Sequence, residues 1–167
     1  MDGVMLGFVA RQLDTILRDG RVDRVMQPEK DEIHLMIRSQ GANHRLVLSA
    51  AANAARVHLS EHAKTGPMEP PMLCMLFRKY LCGGRVLAVR RIAGDRILEI
   101  DVSNLSELGD PVTRTLVVEI MGRHSNIILR TEDGRIIDAA RHVGQDISRV
   151  RQVLSLIHIS EPTRLAL

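Results

Sequence analysis

The sequence predicts an α+β domain whose strands pair mostly antiparallel, and three observations support this class. Apolar residues recur every three or four positions in residues 2–19, as on one face of a helix. In residues 32–38, Ile33, Leu35 and Ile37 alternate with polar residues, as in a strand with one buried face. Helix-like and strand-like segments follow the order helix, three strands, helix, five strands, with short turns between strands, which favours antiparallel neighbours.

The first predicted helix covers residues 2–19. Asp2 suits the N-cap position because its carboxylate can accept a backbone N–H of the first turn. Gly20 suits the position after the last turn, where helices often stop. The predicted buried face of this helix contains Met5, Phe8, Val9, Leu13, Ile16 and Leu17.

Three strands are predicted next, at residues 21–26, 32–38 and 44–49, and they read as a meander. Residues 27–31 are predicted to be a turn because Pro28 has no N–H to donate to a sheet. Residues 39–43 form the second predicted turn. Residues 50–67 are predicted to be a connection that contains a short extended piece.

The second predicted helix begins at Pro70 and Pro71, since proline is tolerated in the first turn, and it ends at Gly83 and Gly84. Its predicted buried face contains Met72, Leu73, Met75, Leu76 and Tyr80. Five short strands follow, at residues 85–91, 96–102, 113–120, 126–130 and 135–140. Turns that contain glycine and aspartate separate several of them.

The composition bears on which kinds of partner the protein can bind. The chain has 167 residues and a net charge of +3, and arginine supplies most of its positive charge. Arginine suits bidentate contacts to phosphate, although biased codon usage in a GC-rich genome gives the same pattern. Aromatic residues make up only 2%, so an RNA contact would depend on shape, backbone and polar groups rather than stacking.

Localisation is predicted from what the sequence lacks. No apolar run reaches the roughly 18 residues of a membrane span. The first residues do not show the basic and then apolar pattern of a signal peptide. Cys74 and Cys82, the only cysteines, fit a reducing compartment. We therefore expect a cytoplasmic protein without a membrane partner.

A polar cluster, residues 119–126 (EIMGRHSN), separates two apolar runs that read as buried strands. Gly122 gives the chain a position at which it can turn. The cluster predicts a hairpin whose end carries the carboxylate of Glu119, the guanidinium of Arg123 and the imidazole of His124. Such an end can bind a polar, anionic partner. On spacing alone, the alternative is a solvated polar turn.

Several blocks, in order along residues 2–154, carry a resemblance to a known family: DGVML from residue 2, QPEKDEI from 27, EPPMLCML from 69, GDR from 94, ELGD from 107, EIMGRHSN from 119 and SRVR from 148. On these blocks the chain resembles the amino-terminal domain of the NFACT family, which includes RqcH, NEMF and proteins known as fibronectin-binding protein A. The resemblance implies a β-sandwich with flanking helices, similar to the amino-terminal domain of MutM-type DNA glycosylases.

The resemblance also implies a function. Members of this family bind stalled large ribosomal subunits that carry peptidyl-tRNA, recruit tRNA, charged with alanine in bacteria, and support untemplated tailing of the nascent chain. The family's Asp-Arg pair, associated with tRNA recognition, falls on Asp95 and Arg96. Its Glu-Ile-Met segment falls on Glu119, Ile120 and Met121. Arg123 and His124 are predicted as second contacts with tRNA. A local turn salt bridge between Asp95 and Arg96 is the alternative for that pair.

No enzyme activity, cofactor or small-molecule substrate is expected. The chain begins Met1-Asp2, without the amino-terminal proline nucleophile of a glycosylase, and it has no Gly-x-Ser-x-Gly motif. His58 and His62 have the spacing of a helical metal pair, but no third ligand is evident, so we expect no metal site. A fibronectin-binding surface adhesin is the alternative function.

Domain organisation is predicted as follows. Residues 1–154 form one NFACT amino-terminal-like domain that is incomplete on its C-terminal side, and the family's later domains are missing. Residues 155–167 (SLIHISEPTRLAL) continue no recognisable element and resemble translated sequencing-adapter read-through. We exclude this tail from fold and function.

Overall fold

Two helices and nine strands make up residues 2–142, the part of the chain that the computed structural model describes. In chain order they are α1 (Gly3–Leu17), β1 (Arg21–Glu29), β2 (Glu32–Ser39), β3 (Ala42–Ser49), β4 (Arg56–Ser60), α2 (Met72–Leu81), β5 (Arg85–Arg91), β6 (Ile97–Leu105), β7 (Pro111–Glu119), β8 (Asn126–Thr131) and β9 (Ile136–Ala139). A short 3-10 turn, Gly122–His124, lies between β7 and β8.

The strands form one sheet in the order β4-β3-β2-β1-β5-β6-β7-β8-β9, and each neighbouring pair is antiparallel. The predicted α+β class with antiparallel pairing is confirmed. Only the pair Arg21 and Arg85 joins β1 to β5 in register, and apolar residues from both halves of the sheet share one core. The sheet therefore folds over at this junction, and its two halves enclose that core. The likeness to MutM-type glycosylases stays a prediction.

Helix α1 confirms its predicted start and, at Leu13 and Leu17, its predicted buried face. The Asp2 carboxylate accepts the Met5 N–H at 2.8 Å, as an N-cap should. Met5 and Phe8 are 53% and 51% exposed, so their predicted burial is wrong. The buried stripe is Leu6, Ala10, Leu13 and Leu17. Both stripes have helical spacing and share their last apolar positions, so periodicity alone could not choose between them.

Helix α2 begins at Met72 with Pro71 as its N-cap, so the two prolines precede the first turn rather than lie within it as predicted. Its buried residues are Leu73, Cys74, Phe77 and Leu81. The prediction was right for Leu73 but wrong for Met72 and Met75, which are exposed. Phe77 and Leu81 pack in the core, whereas Met72 and Met75 lie on the solvent-facing side of the helix.

Strand β1 is longer than predicted. It runs through Gln27 and Pro28 to Glu29, so the predicted turn at residues 27–31 is wrong for its first half. The pairing of β1 with β2 shifts between Met26 and Glu29, which marks a β-bulge. Proline is tolerated at a bulge because no ladder hydrogen bond is required there. The extended piece expected within residues 50–67 is β4, and the five later strands lie where they were predicted.

Some expectations fall outside the described residues. They concern the block at residues 148–151, the domain boundary at 154 and the tail at 155–167. Within residues 2–142, neither helix is long and apolar enough to cross a bilayer.

Candidate nucleic-acid interface

The hairpin of β7 and β8 carries the polar cluster. Val118 pairs with Ile127 and Glu119 with Asn126, so the predicted pair of buried strands around the cluster is confirmed. Gly122 has φ +57°, a left-handed conformation that glycine adopts without steric cost. Ser125 fixes the turn because its Oγ accepts the Met121 N–H at 2.8 Å and donates to the Gly122 carbonyl at 2.7 Å.

The turn between β5 and β6 carries Asp95 and Arg96. The Asp95 N–H donates to the Ile92 carbonyl at 3.1 Å, and the Ile92 N–H donates to the Ile97 carbonyl at 2.9 Å. Asp95 is half-buried and Arg96 is exposed. The pair therefore lies directly before the first residue of β6, as the sequence predicted.

The structure brings the two predicted clusters together. The Ile120 N–H donates to the Arg96 carbonyl at 2.9 Å, and Ile97 pairs with Glu119 in the sheet. The side chains differ in exposure: Arg96 and Arg123 are exposed, whereas Met121 and His124 are half-buried. The turn of β5–β6 and the turn of β7–β8 thus form one surface, which we call the hairpin rim, with Arg96 and Arg123 as its exposed cations.

Two of the predicted site residues do not present their side chains to solvent. Glu119 is 2% exposed and Ile120 is 3% exposed, so the expectation of a carboxylate at the end of the hairpin is wrong. The reason is that β7 continues through Glu119, which has strand partners on both sides in Ile97 and Asn126. These two residues can support the rim but do not form its outer surface.

A cleft of about 350 Å³ lies beside the hairpin rim. One wall is formed by Arg96, Ile120 and Gly122, and the other by residues 52–55 of the connection between β3 and β4 together with Arg56 of β4. Residues 50–67 were predicted to be a connection with a short extended piece, and this wall was not predicted. The available signal was its run of small residues, AANAA, which leaves space beside a neighbouring surface.

Arg141, also missed from the sequence, connects the two walls. Its Nη1 donates to the Arg123 carbonyl, and its Nη2 donates to the Ala50 carbonyl at 3.2 Å. The same Nη2 lies 3.4 Å from Oδ2 of Asp31. Its backbone exchanges two hydrogen bonds with the side chain of Asn126, at 2.9 and 3.0 Å. One arginine therefore fixes the rim turn against the start of the β3–β4 connection.

A buried ionic cluster, which we call the Glu32 cluster, lies behind the second wall. The His34 imidazole donates from Nε2 to Oε2 of Glu32 at 2.6 Å. Lys64 Nζ donates to Oε1 at 3.2 Å, and Arg56 Nη2 lies 3.7 Å from the same oxygen. Arg45 Nη1 donates to the remaining His34 nitrogen, Nδ1, at 3.2 Å. Because Nδ1 accepts this bond, the proton of the neutral imidazole lies on Nε2.

Burial and hydrogen bonding set the charges in the Glu32 cluster. Burial alone would raise the pKa of Glu32, but the hydrogen bonds from His34 and Lys64 outweigh it and hold that pKa below its usual value. Burial lowers the pKa of His34, and the carboxylate of Glu32 only partly opposes this effect. The carboxylate is therefore ionised and the imidazole neutral near neutral pH, and the negative charge anchors Arg56 at the edge of the cleft.

The ring nitrogens of His58, one member of the pair with metal-like spacing, have partners within the chain. Nε2 of His58 accepts from Arg56 Nε at 3.0 Å, and its Nδ1 lies 3.1 Å from the Leu59 carbonyl. No group of three or more residues able to hold a metal ion occurs within residues 2–142.

Sequence comparisons identify relatives of the chain. The family model described as NFACT N-terminal and middle domains matches residues 2–158. The protein named Rqc2 homolog RqcH from Streptococcus suis is 42% identical over 154 residues, which cover 92% of this chain and 28% of that protein. The protein of the same name from Bacillus subtilis is 38% identical over 154 residues, which cover 92% of this chain and 27% of that protein. The chain thus spans little more than a quarter of the length of these relatives.

Solved structures agree with the sequence comparisons. The N-terminal domain of the fibronectin-binding protein PavA from Streptococcus pneumoniae superposes with a TM-score of 0.83 at 39% identity, covering 86% of this chain and 54% of that one. The N-terminal part of the fibronectin/fibrinogen-binding protein of Streptococcus suis gives a TM-score of 0.83 at 43% identity, with the same coverage. Because the family model matches nearly the whole chain and these relatives share its fold, the protein belongs to the NFACT family, within the family's N-terminal region.

Proposed function

We propose that this chain is the RNA-binding module of a ribosome-associated quality control factor. In this proposal the factor binds stalled large ribosomal subunits that carry peptidyl-tRNA, and it recruits alanine tRNA for untemplated tailing of the nascent chain. The module itself performs no bond chemistry and uses no cofactor. Membership in the NFACT family and the similarity to RqcH support this function.

The observation that carries the proposal is the contact between the two rim turns. The hydrogen bond from the Ile120 N–H to the Arg96 carbonyl holds the Asp95–Arg96 turn beside the Arg123 turn, at the mouth of the cleft. The side chains of Arg96 and Arg123 make no hydrogen bond or ion pair with residues 2–142. Exposed guanidinium groups without an acidic partner suit phosphate oxygens and the acceptor edges of bases.

Burial divides the site residues by role. Arg96 and Arg123 contact tRNA directly, with Asp95 and His124 beside them. Glu119, Ile120 and Met121 act mainly by holding the backbone of the rim, because the first two are almost fully buried. We therefore expect substitution of Glu119 to affect folding as well as binding, whereas substitution of Arg96 affects binding alone.

Substitution of Arg96 by alanine tests the proposal. If Arg96 makes a bidentate contact, Arg96→Ala weakens tRNA binding by about 1–3 kcal/mol. The measurement is fluorescence anisotropy of the full chain with labelled, deacylated alanine tRNA at fixed salt. Arg135→Ala is the matched control, because Arg135 is an exposed arginine in the turn between β8 and β9, at the opposite end of the sheet.

Unchanged affinity of Arg96→Ala would contradict a direct contact between Arg96 and tRNA. Binding of the parent chain should also weaken as ionic strength rises, because phosphate contacts release counterions. Co-sedimentation of the full chain with large subunits, with and without peptidyl-tRNA, tests the ribosomal part of the proposal.

Binding to fibronectin is a second candidate function. The observation that favours it is the name of the solved relatives, which are described as fibronectin-binding and fibronectin/fibrinogen-binding proteins. Saturable binding of the full chain to immobilised fibronectin, unaffected by Arg96→Ala and by competing tRNA, would support adhesion through a different surface. Absence of such binding would leave RNA recognition as the function.

A further inference from the structure

A second basic surface lies between α1 and β5. Here a groove of about 260 Å³ is lined by Arg11, Arg90 and Arg91, with Asp14 as its acidic residue. Arg91 is the last residue of β5 and pairs with Leu98 of β6, so it lies at the end of the strand from which the Asp95–Arg96 turn begins. The groove and the hairpin rim therefore share one end of the sheet.

Two of the three arginines in the groove have no acidic partner among residues 2–142. Arg90 is neutralised by Glu99 at 2.7 Å and by a bidentate pair with Asp101. Asp14 is also fully engaged, because Oδ1 accepts the Val89 N–H at 2.8 Å and Oδ2 accepts from Arg18 at 2.6 Å. In contrast, the side chains of Arg11 and Arg91 make no hydrogen bond or ion pair with residues 2–142.

The helix makes room for Arg91 through two glycines. A Cβ built on Gly7 would lie 3.0 Å from Nε of Arg91, and one built on Gly3 would lie 3.3 Å from its Nη1. Arg91 therefore lies against α1 at the two positions, Gly3 and Gly7, where the helix carries no side chain. Glycine is among the poorest helix formers, so α1 accepts two unfavourable residues where the guanidinium of Arg91 lies. Packing of the apolar core does not require this arrangement, because the core face of α1 is the stripe from Leu6 to Leu17.

We propose that this groove binds a phosphate group of an RNA backbone through Arg91 and Arg11. The inference rests on the proposed function and deepens it, because it adds a second contact point to the same RNA. A planar guanidinium binds two phosphate oxygens at once, and two uncompensated guanidinium groups in one groove match the charge of one phosphate and its neighbour. RNA is favoured over an acidic protein because the groove lies at the same sheet end as the proposed tRNA contact.

Two variants test the groove by different routes. Arg91→Gln removes the charge and keeps the length of the side chain. Gly7→Leu fills the groove, because the three atoms nearest to a Cβ at Gly7 all belong to the side chain of Arg91. The control is Arg85→Gln, an exposed arginine at the other end of β5. Affinity of the full chain for deacylated alanine tRNA is measured by anisotropy across a series of salt concentrations.

The salt dependence gives the expected result. For Arg91→Gln, affinity falls and the slope of log K against log salt concentration decreases in magnitude by about one, as for the loss of one phosphate contact. Gly7→Leu shifts both quantities in the same direction, and a circular dichroism spectrum that matches the parent chain's shows that the variant is folded. Arg85→Gln leaves both unchanged.

The outcomes separate this inference from the proposed function. Unchanged slope and affinity in both groove variants, together with weaker binding by Arg96→Ala, would overturn the groove alone. Weaker binding by the groove variants with normal binding by Arg96→Ala would support the groove and contradict the rim contact. A loss of co-sedimentation with large subunits while tRNA binding stays normal would assign the groove to the ribosome rather than to tRNA and overturn the inference of a second contact on the same RNA. A parent chain that binds no tRNA would contradict both proposals.

Discussion

Replacement of Glu32 by glutamine is expected to destabilise the domain, although the two side chains have nearly the same shape. In the Glu32 cluster, one carboxylate oxygen faces the Nε2–H of His34 and the other faces Lys64 and Arg56. Every one of these partners is a donor. A glutamine amide has one oxygen and one NH₂ group. Its NH₂ group must therefore replace one of the two carboxylate oxygens and face a partner that is also a donor. The imidazole cannot relieve the conflict by moving its proton, because its Nδ1 already accepts from Arg45.

The size of the loss in free energy of unfolding depends on which groups remain buried after the substitution. Removal of one partner from a fully buried ion pair costs about 3–5 kcal/mol. Here the side chains of Lys64 and Arg56 are 47% and 36% exposed, so both cations can turn toward water. If the amide oxygen keeps the bond from His34, the NH₂ group takes the position that faced Lys64 and Arg56, and leaving that buried donor unsatisfied costs about 1–3 kcal/mol. We therefore expect Glu32→Gln to lower the free energy of unfolding by that amount.

Urea unfolding at neutral pH, followed by circular dichroism, measures this loss as a lower midpoint at an unchanged m-value. Glu107→Gln is the matched control, because Glu107 is 88% exposed and lies 3.7 Å from Lys79. A surface substitution of this kind changes the free energy of unfolding by less than about 0.5 kcal/mol. A similarly small effect of Glu32→Gln would refute the reasoning, because it would mean that the cluster does not constrain its central residue.

Two further predictions concern backbone strain and pH. Gly122→Ala should lower the free energy of unfolding by about 1–2 kcal/mol because φ is +57° at this position. Gly66→Ala is the control and should have little effect, because Gly66 has no positive φ and a Cβ there would lie 3.7 Å from its nearest neighbour. Equal effects of the two substitutions would contradict the strain argument. The pKa of His34 is lowered from its ordinary value of 6.5, so below that pH the unfolded chain binds more protons than the folded one, and the free energy of unfolding should fall with further acidification. His34→Gln should flatten this pH dependence between about pH 7 and pH 5. An unflattened profile in that variant would assign the acid sensitivity to other groups.

Sequence periodicity predicted the order of the helices and strands well, because it reports which face of each segment is buried locally. It failed where two answers were locally equivalent. On α1, the stripe that begins at Met5 and the stripe that begins at Leu6 both have helical spacing, and only the packing of α1 against β5 decides between them. At Pro28, proline predicted a turn, but a β-bulge accommodates it within the strand.

The candidate site was predicted where its signal was local and missed where it was not. Polar residues between two buried runs pointed to the hairpin of β7 and β8. In contrast, Arg141 acts on the carbonyls of Arg123 and Ala50, which lie 18 and 91 positions away in the chain. The burial of Glu119 was also missed, because it depends on pairing with Ile97 of another hairpin. No local pattern contains such contacts.

The topology explains why the rim turns and the groove come to the same place. In an antiparallel meander, successive turns lie at alternating ends of the sheet. The β5–β6 turn and the β7–β8 turn therefore share one end, and the turn that holds Glu107 lies at the other. Arg91, Arg96 and Arg123 follow this rule, since each lies at or next to a turn of the shared end. A polyanion that approaches this end meets all three cations, and one that approaches the opposite end meets none of them.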